Sequence, residues 1–266
     1  MNKSYFDRIL VIIIAALTLC FLAACASDRP KPLTTGDITK DNAVQVCDIL
    51  RGTKLSNVDT FEKWVLDQVS GNSVNDEETS GFSDANCRMT VMLLAGDLIK
   101  YDSLEESYTG DYLMFDLNAI ESYEQYGILK DKERLFTTVF GEMPYSEDGF
   151  AGTLSERWKK HGIKFEDDRC SIISIIFKAY GKDEAFVGHT GILIDCRDAE
   201  DVGSDYVFVE KTAFTEPFRI TLINDENELI DILSDRPEFT VEEDDPVPVV
   251  YKNGEMIGEL KRQNKD

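Results

Sequence analysis

The chain has 266 residues, 51 acidic against 28 basic side chains, and a formal net charge of −23. Such a surface repels phosphate backbones and anionic lipid heads, which argues against nucleic acid as a partner. The length allows a substantial buried core, and one domain after the leader is the simplest count.

The leader comes first. "MNKSYFDRILVIIIAALTLCFLAAC" has a short charged start, an apolar stretch and small residues before a cysteine, the pattern of an export signal over residues 1–24. Leu22-Ala23-Ala24-Cys25 resembles the bacterial lipobox, which implies cleavage before Cys25 and diacylglycerol on its thiol. The apolar stretch is shorter than the roughly 18 residues wanted for a spanning helix. Removing residues 1–24, which hold Lys3, Arg8 and Asp7 for a net +1, leaves −24 on the mature chain. Two acyl chains, each methylene worth about 0.8 kcal/mol when buried, hold a protein stably on a bilayer. The expected location is therefore extracytoplasmic, lipid-anchored to a bacterial membrane through Cys25. Residues 25–40 carry the lipid site and a polar tether with two prolines, and residues 41–266 form a single α+β domain.

The first half of that domain reads as helix. "DNAVQVCDILRG" and "SNVDTFEKWVLDQVSG" place apolar residues on one stripe, with Ser56 or Asn57 as cap of the second. "GFSDANCRMTVMLLAGDLIKY" is apolar nearly all round from Met89 to Ile99, which makes it a central, buried helix. Ser83 or Asp84 is its expected cap, putting Cys87 in the first turn. Helical patches follow in "LNAIESYEQYG", "KERLFTTVFG" and "LSERWKKHG", with the loop "EMPYSEDGFAG" between them placed to rim a pocket. Acidic runs at 75–78 and 241–245 lack the spacing of a calcium loop and read as solvated loops.

From residue 170 the period changes from helix to strand. "CSIISIIFKAYG", "EAFVGHTGILID", "DYVFVEKTAF" and "PFRITLI" are β-branched or aromatic segments bounded by turn-formers, without long crossovers, which predicts an antiparallel meander. "NELIDILSD" reads as one more helix. Asn253-Gly254, between apolar alternations, predicts a type I′ hairpin.

The domain has two histidines. His161, beside lysines and a helix-ending glycine, reads as a cation at a helix C-terminus. His189 lies inside a strand, sharing a face with Val187, Gly191, Leu193 and Asp195. The glycines at 188 and 191 weaken that strand and suggest the close approach of a ligand or another backbone. If Asp195 lies opposite Asp205, His189 pairs near residue 211, to within one or two positions. Glu210 then becomes a candidate to hold the second ring nitrogen; the alternative is a solvent-facing residue or a partner of Lys211.

Cys87 is either a small buried hydrophobe or a thiol sharpened by the positive end of a helix. Cys47, Cys170 and Cys196 share the domain with it, and these four thiols allow disulfides in three pairings or none. Zinc would need three or four ligands at metal spacing; neither that, a G-x-S-x-G elbow nor a phosphate-cradling glycine loop occurs, so no metal and no cofactor is expected.

The order Cys87, His189, Glu210, on a central helix followed by an antiparallel sheet, resembles the papain-like cysteine hydrolases, especially the NlpC-type cell-wall peptidases, in which H-x-G opens a strand as His189-Thr190-Gly191 does here. The resemblance implies Cys87 as nucleophile, His189 as base and Glu210 as orienter, with Asn86 and Arg88 as oxyanion- or substrate-binding residues. Papain's oxyanion glutamine, six residues before its cysteine, falls here on Gly81. More closely, "NCR", "GHTGILI" and "FVEKTAFTEPF" are similar to the bacterial lipoprotein family catalogued as domain of unknown function 4300. Two expectations follow. One is a tethered cysteine peptidase or amidase acting on a cell-wall peptide or other envelope amide; the other is a non-catalytic papain-like binding or scaffold lipoprotein.

Overall fold

In the computed structural model the described residues are 31–71, 85–145, 150, 153–199 and 202–262. Cys25 and the acidic run at 75–78 lie outside them. Contacts divide the chain into Met1–Leu33 and Thr34–Asp266, and the described architecture belongs almost wholly to the second unit. Its elements in chain order are β1 Gly36–Asp37, α1 Ala43–Arg51, α2 Val58–Val69, α3 Cys87–Ala95, β2 Ile99–Lys100, α4 Met114–Ser122, α5 Glu133–Phe140, β3 Met143–Pro144, α6 Thr153–His161 and β4 Lys164–Phe165. Then come β5 Cys170–Lys178, β6 Glu184–Asp195, β7 Tyr206–Lys211, β8 Phe218–Ile223, α7 Glu226–Ser234, β9 Val249–Lys252 and β10 Glu255–Glu259. This is an α+β fold, with most helices before the sheet. Among the described residues no helix is long and apolar enough to cross a membrane.

The sheet runs β1-β8-β7-β6-β5-β9-β10, with β3 added beside β6. Every pairing is antiparallel, as short strands joined by tight connections require. The β9–β10 turn holds Asn253 at φ 49° and Gly254 at φ 81°, the left-handed pair that a type I′ hairpin needs. One sheet face carries Ile173, Ile175, Leu193, Phe208 and Ile223, packed under Leu229 and Leu233 of α7 and under Phe239. On the other face Phe218 meets Phe61 of α2 edge to face at 5.2 Å.

The central helix is α3. Every residue from Met89 to Ala95 is buried, as its unbroken apolar surface predicts. It starts later than expected: the cap is Asn86, whose Oδ1 accepts from the Met89 N–H at 3.0 Å, so Cys87 is the first helical residue. The expected caps Ser83 and Asp84 lie outside the described residues. At the other end, Leu93 and Leu94 present carbonyls to Asn57 and Ser56, which ties α3 to the start of α2.

Two details of β6 differ from expectation. Tyr206, not Asp205, lies opposite Asp195, because Asp205 is held in the preceding turn by the Cys196 N–H. The one-residue slip makes Gly191 the partner of Glu210, which places Glu210 on the face of His189, diagonally across the ladder. The second detail is a bulge. Ile175 pairs with His189 and Ile176 with Val187, so Gly188 is an extra residue and Val187 leaves the face it was expected to share with His189. The glycines make room for the protein itself, not a ligand. A Cβ at Gly188 would lie 2.5 Å from the Phe177 ring, and one at Gly191 would lie 2.5 Å from the Phe208 ring and 2.8 Å from the Val209 carbonyl.

Candidate active site

Cys87, at the head of α3, and His189, in the middle of β6, meet although 102 residues separate them. Nε2 donates to Glu210 Oε2 at 2.7 Å, Nδ1 is buried without a hydrogen-bond partner, and the ring lies near enough to Cys87 for each side chain to shift the other's pKa. Phe239 at 5.1 Å and Phe208 at 6.5 Å wall the ring. Cys87 is 3% exposed, His189 1% and Glu210 0%.

Burial raises the pKa of a thiol, and at Cys87 the hydrogen bond and charge of His189, with the charge of Arg88, outweigh it and lower the pKa below 9.0. Burial likewise lowers the pKa of an imidazole, yet the Cys87 and Glu210 hydrogen bonds raise that of His189 to about 9. Glu210, despite its own burial, is brought down to about 2 by His189 and Arg236. The three shifts all favour the charged forms, thiolate, imidazolium and carboxylate, in a row. The other cysteines behave differently. Cys47, Cys170 and Cys196 are free, buried thiols that burial pushes to about 12, about 12 and about 11.

Asn86 and Arg88 both reach a residue that the sequence did not single out, Asp116 in the first turn of α4. Asn86 Nδ2 donates to Asp116 Oδ1 at 2.7 Å, and Arg88 grips both carboxylate oxygens, at 2.9 and 2.8 Å. Arg88 Nη1 also donates to the Val187 carbonyl at 3.0 Å. The clamp thus joins α3, α4 and the bulge of β6 on either side of the Cys87–His189 contact. Arg236 forms a matching pair on the far side: Nη1 donates to Glu210 Oε2 at 2.7 Å and Nη2 lies 2.6 Å from Oε1. Nothing local announced either partner. Asp116 sits 28 residues beyond Arg88, and Arg236 lies in "SDRP", 26 residues beyond Glu210.

The remaining candidates lie apart from this site. His161 closes α6, where its Nε2 meets Glu105 at 2.9 Å and its Nδ1 meets Ser103 at 3.2 Å. Lys211, weighed as a partner of Glu210, instead donates to the carbonyls of Ala213, Phe214 and Glu216. Glu142, from the loop expected to rim a pocket, lines a cavity of about 400 Å³ with Tyr108, Asp111, Arg157 and Lys182, and Cys87 is not part of that lining. Among the described residues no group of three or more His, Cys, Asp or Glu side chains is placed to hold a metal ion.

No curated protein and no solved structure matches the chain. A family model does: the one described as a domain of unknown function, DUF4300, matches residues 52–257, a span that holds Cys87, His189, Glu210, Asp116 and Arg236. The chain belongs to the DUF4300 family.

Proposed function

We propose that this protein is a membrane-tethered, extracytoplasmic cysteine hydrolase of the papain-like kind, cutting envelope amide bonds through Cys87. The single observation that carries the reading is the row of Cys87, His189 and Glu210, with the thiol pKa lowered in spite of burial. A lowered thiol pKa next to an imidazolium is what a cysteine nucleophile needs, and structural buried cysteines lack it.

In the proposed cycle the Cys87 thiolate attacks the amide carbonyl carbon, and the carbonyl π electrons move to oxygen. The N–H groups of Cys87 and Arg88, in the first turn of α3 ahead of the capped Met89 N–H, are the proposed donors to that oxyanion. Collapse breaks the C–N bond, the His189 Nδ1 proton passes to the leaving amine, and a thioester remains on Cys87. Neutral His189 then takes a proton from water, the hydroxide expels the thiolate, and the acid departs. Glu210 keeps Nε2–H bonded throughout, so the ring presents Nδ1 to the sulfur.

A second reading, a non-catalytic papain-like binding or scaffold lipoprotein, draws support from the burial of all three side chains, since a substrate reaches the thiol only if covering residues move aside. One experiment separates the two. Mature protein incubated with cell-wall peptides and peptide amides is expected to release amine and to carry a trapped acyl group on Cys87. Cys87→Ala should abolish both while keeping the fold. Equal ligand retention by wild type and Cys87→Ala, with no adduct and no turnover, would establish the second reading instead.

The tether is tested in cells of a lipoprotein-processing host. Wild type is expected in the membrane fraction and labelled by radioactive fatty acid. Cys25→Ser should lose the label and leave the membrane fraction, and label retained by that variant would overturn the anchor.

A further inference from the structure

We infer that Arg236 is a positioning residue of the site: by gripping both oxygens of Glu210 it fixes the carboxylate against His189 and limits how strongly that carboxylate holds the imidazole proton. The inference deepens the hydrolase reading and rests on it.

Glu210 Oε2 accepts two hydrogen bonds of equal length, 2.7 Å from His189 Nε2 and 2.7 Å from Arg236 Nη1, while Oε1 lies 2.6 Å from Nη2. A carboxylate serving the imidazole alone would stabilise the imidazolium more than one whose charge is shared with a guanidinium. Sharing matters because His189 must release its proton to the leaving amine and later take one from water. An imidazole held too firmly as the cation does neither well.

The placement of Arg236 is itself specified. It follows α7 directly, is 7% exposed, and Nη2 donates to Thr221 Oγ1 of β8 at 3.2 Å. Its guanidinium lies over the Phe239 ring at 5.9 Å, and the same ring meets His189 at 5.1 Å. The charged and titratable groups around His189 are thus Cys87 and Arg88 from α3, Asp116 from α4 acting through Arg88, Glu210 from β7, and Arg236. Of these, Arg236 alone reaches the imidazole through the carboxylate.

The test is the pH profile of Cys87 alkylation by iodoacetamide, read by peptide mass in the mature protein, because it reports the ionisation of the pair without needing turnover. Wild type is expected to show a low inflection, where the thiolate forms, and an upper one near 9, where His189 gives up its proton. In Arg236→Met the upper inflection should rise by about one unit, a tenfold gain in proton affinity, and Arg236→Lys should bring it part of the way back. Thr221→Val, which loosens the guanidinium without leaving a lone buried charge, should move it the same way by less, and this variant decides the matter if Arg236→Met does not fold. An upper inflection unmoved in the folded variants, whatever their stability, overturns the role of Arg236. A wild-type profile with no low inflection overturns the hydrolase reading itself and the inference with it.

Discussion

His189→Ala is expected to slow alkylation of Cys87 at pH 6 by at least about 100-fold. In the wild type the imidazolium offsets the cost of burying a thiolate. Without it burial becomes the dominant effect, as it is at Cys47, which stands at about 12 and is ionised to only about one part in 10⁵ at pH 7. A thiolate of low pKa is intrinsically a weaker nucleophile, with a Brønsted slope of about 0.4–0.5, which returns part of the difference and is why the expected loss is smaller than the change in ionised fraction. Iodoacetamide rates with peptide mass readout measure it. A wild-type rate at Cys87 no faster than at Cys47 would sink the idea.

The same pair makes stability depend on pH, with opposite signs for its two acids. The folded pKa of His189 is raised from 6.5 to about 9, so its contribution is complete below about 6.5 and is lost as pH rises through about 9. That of Glu210 is lowered from 4.5 to about 2, so its contribution is present above about 4.5 and fades as pH falls towards 2. Each shift corresponds to about 3 kcal/mol at 1.36 kcal/mol per unit, and the two describe largely one interaction, so they are not summed.

Asp116→Ala is expected to cost about 3–5 kcal/mol in chemical denaturation. Asp116 is fully buried and Arg88 is only 13% exposed in its side chain, so deletion strands a guanidinium away from water and leaves Asn86 Nδ2 without its acceptor. Replacing both partners by apolar residues, Asp116→Leu with Arg88→Met, should recover much of the loss, as buried ion pairs generally allow. The single variant carries a second signature. Asp116 opposes ionisation of Cys87 while Arg88 favours it, so removing the carboxylate should make the thiol more acidic even as the fold weakens. A loss under about 1 kcal/mol, or a Cys87 inflection that moves up, would show that the clamp does not act as described.

Two fully buried carboxylates, Asp116 and Glu210, each take an arginine and flank the Cys87–His189 pair. Buried charges are costly unless paired, and two such pairs around a single cysteine go beyond what packing a small hydrophobe requires. Perturbed thiol and imidazole pKa values at that spot have the pattern of reactive sites. At Cys170, by contrast, burial is the largest effect and the thiol is pushed up to about 12.

What the residues determined by themselves is whatever depends on near neighbours. The change of period at residue 170, the all-round apolar surface of α3 and the Asn253-Gly254 turn each specify an element from a few adjacent side chains, and together they yield the α+β class. The candidates Cys87, His189 and Glu210 were legible for the same reason, since a helix start, a strand histidine and a neighbouring strand acid are local features. The tertiary structure decided everything that depends on how those elements meet. The turn at Asp205 moved the register by one and so put Glu210 on the histidine's face; the rings of Phe177 and Phe208 explained two glycines; and Asp116 and Arg236 acquired meaning only from partners 28 and 26 residues away. The physical reason is that periodicity and capping are read over one or two turns of chain, whereas ion pairs and ladder register are energies of contact between segments that sequence distance does not constrain.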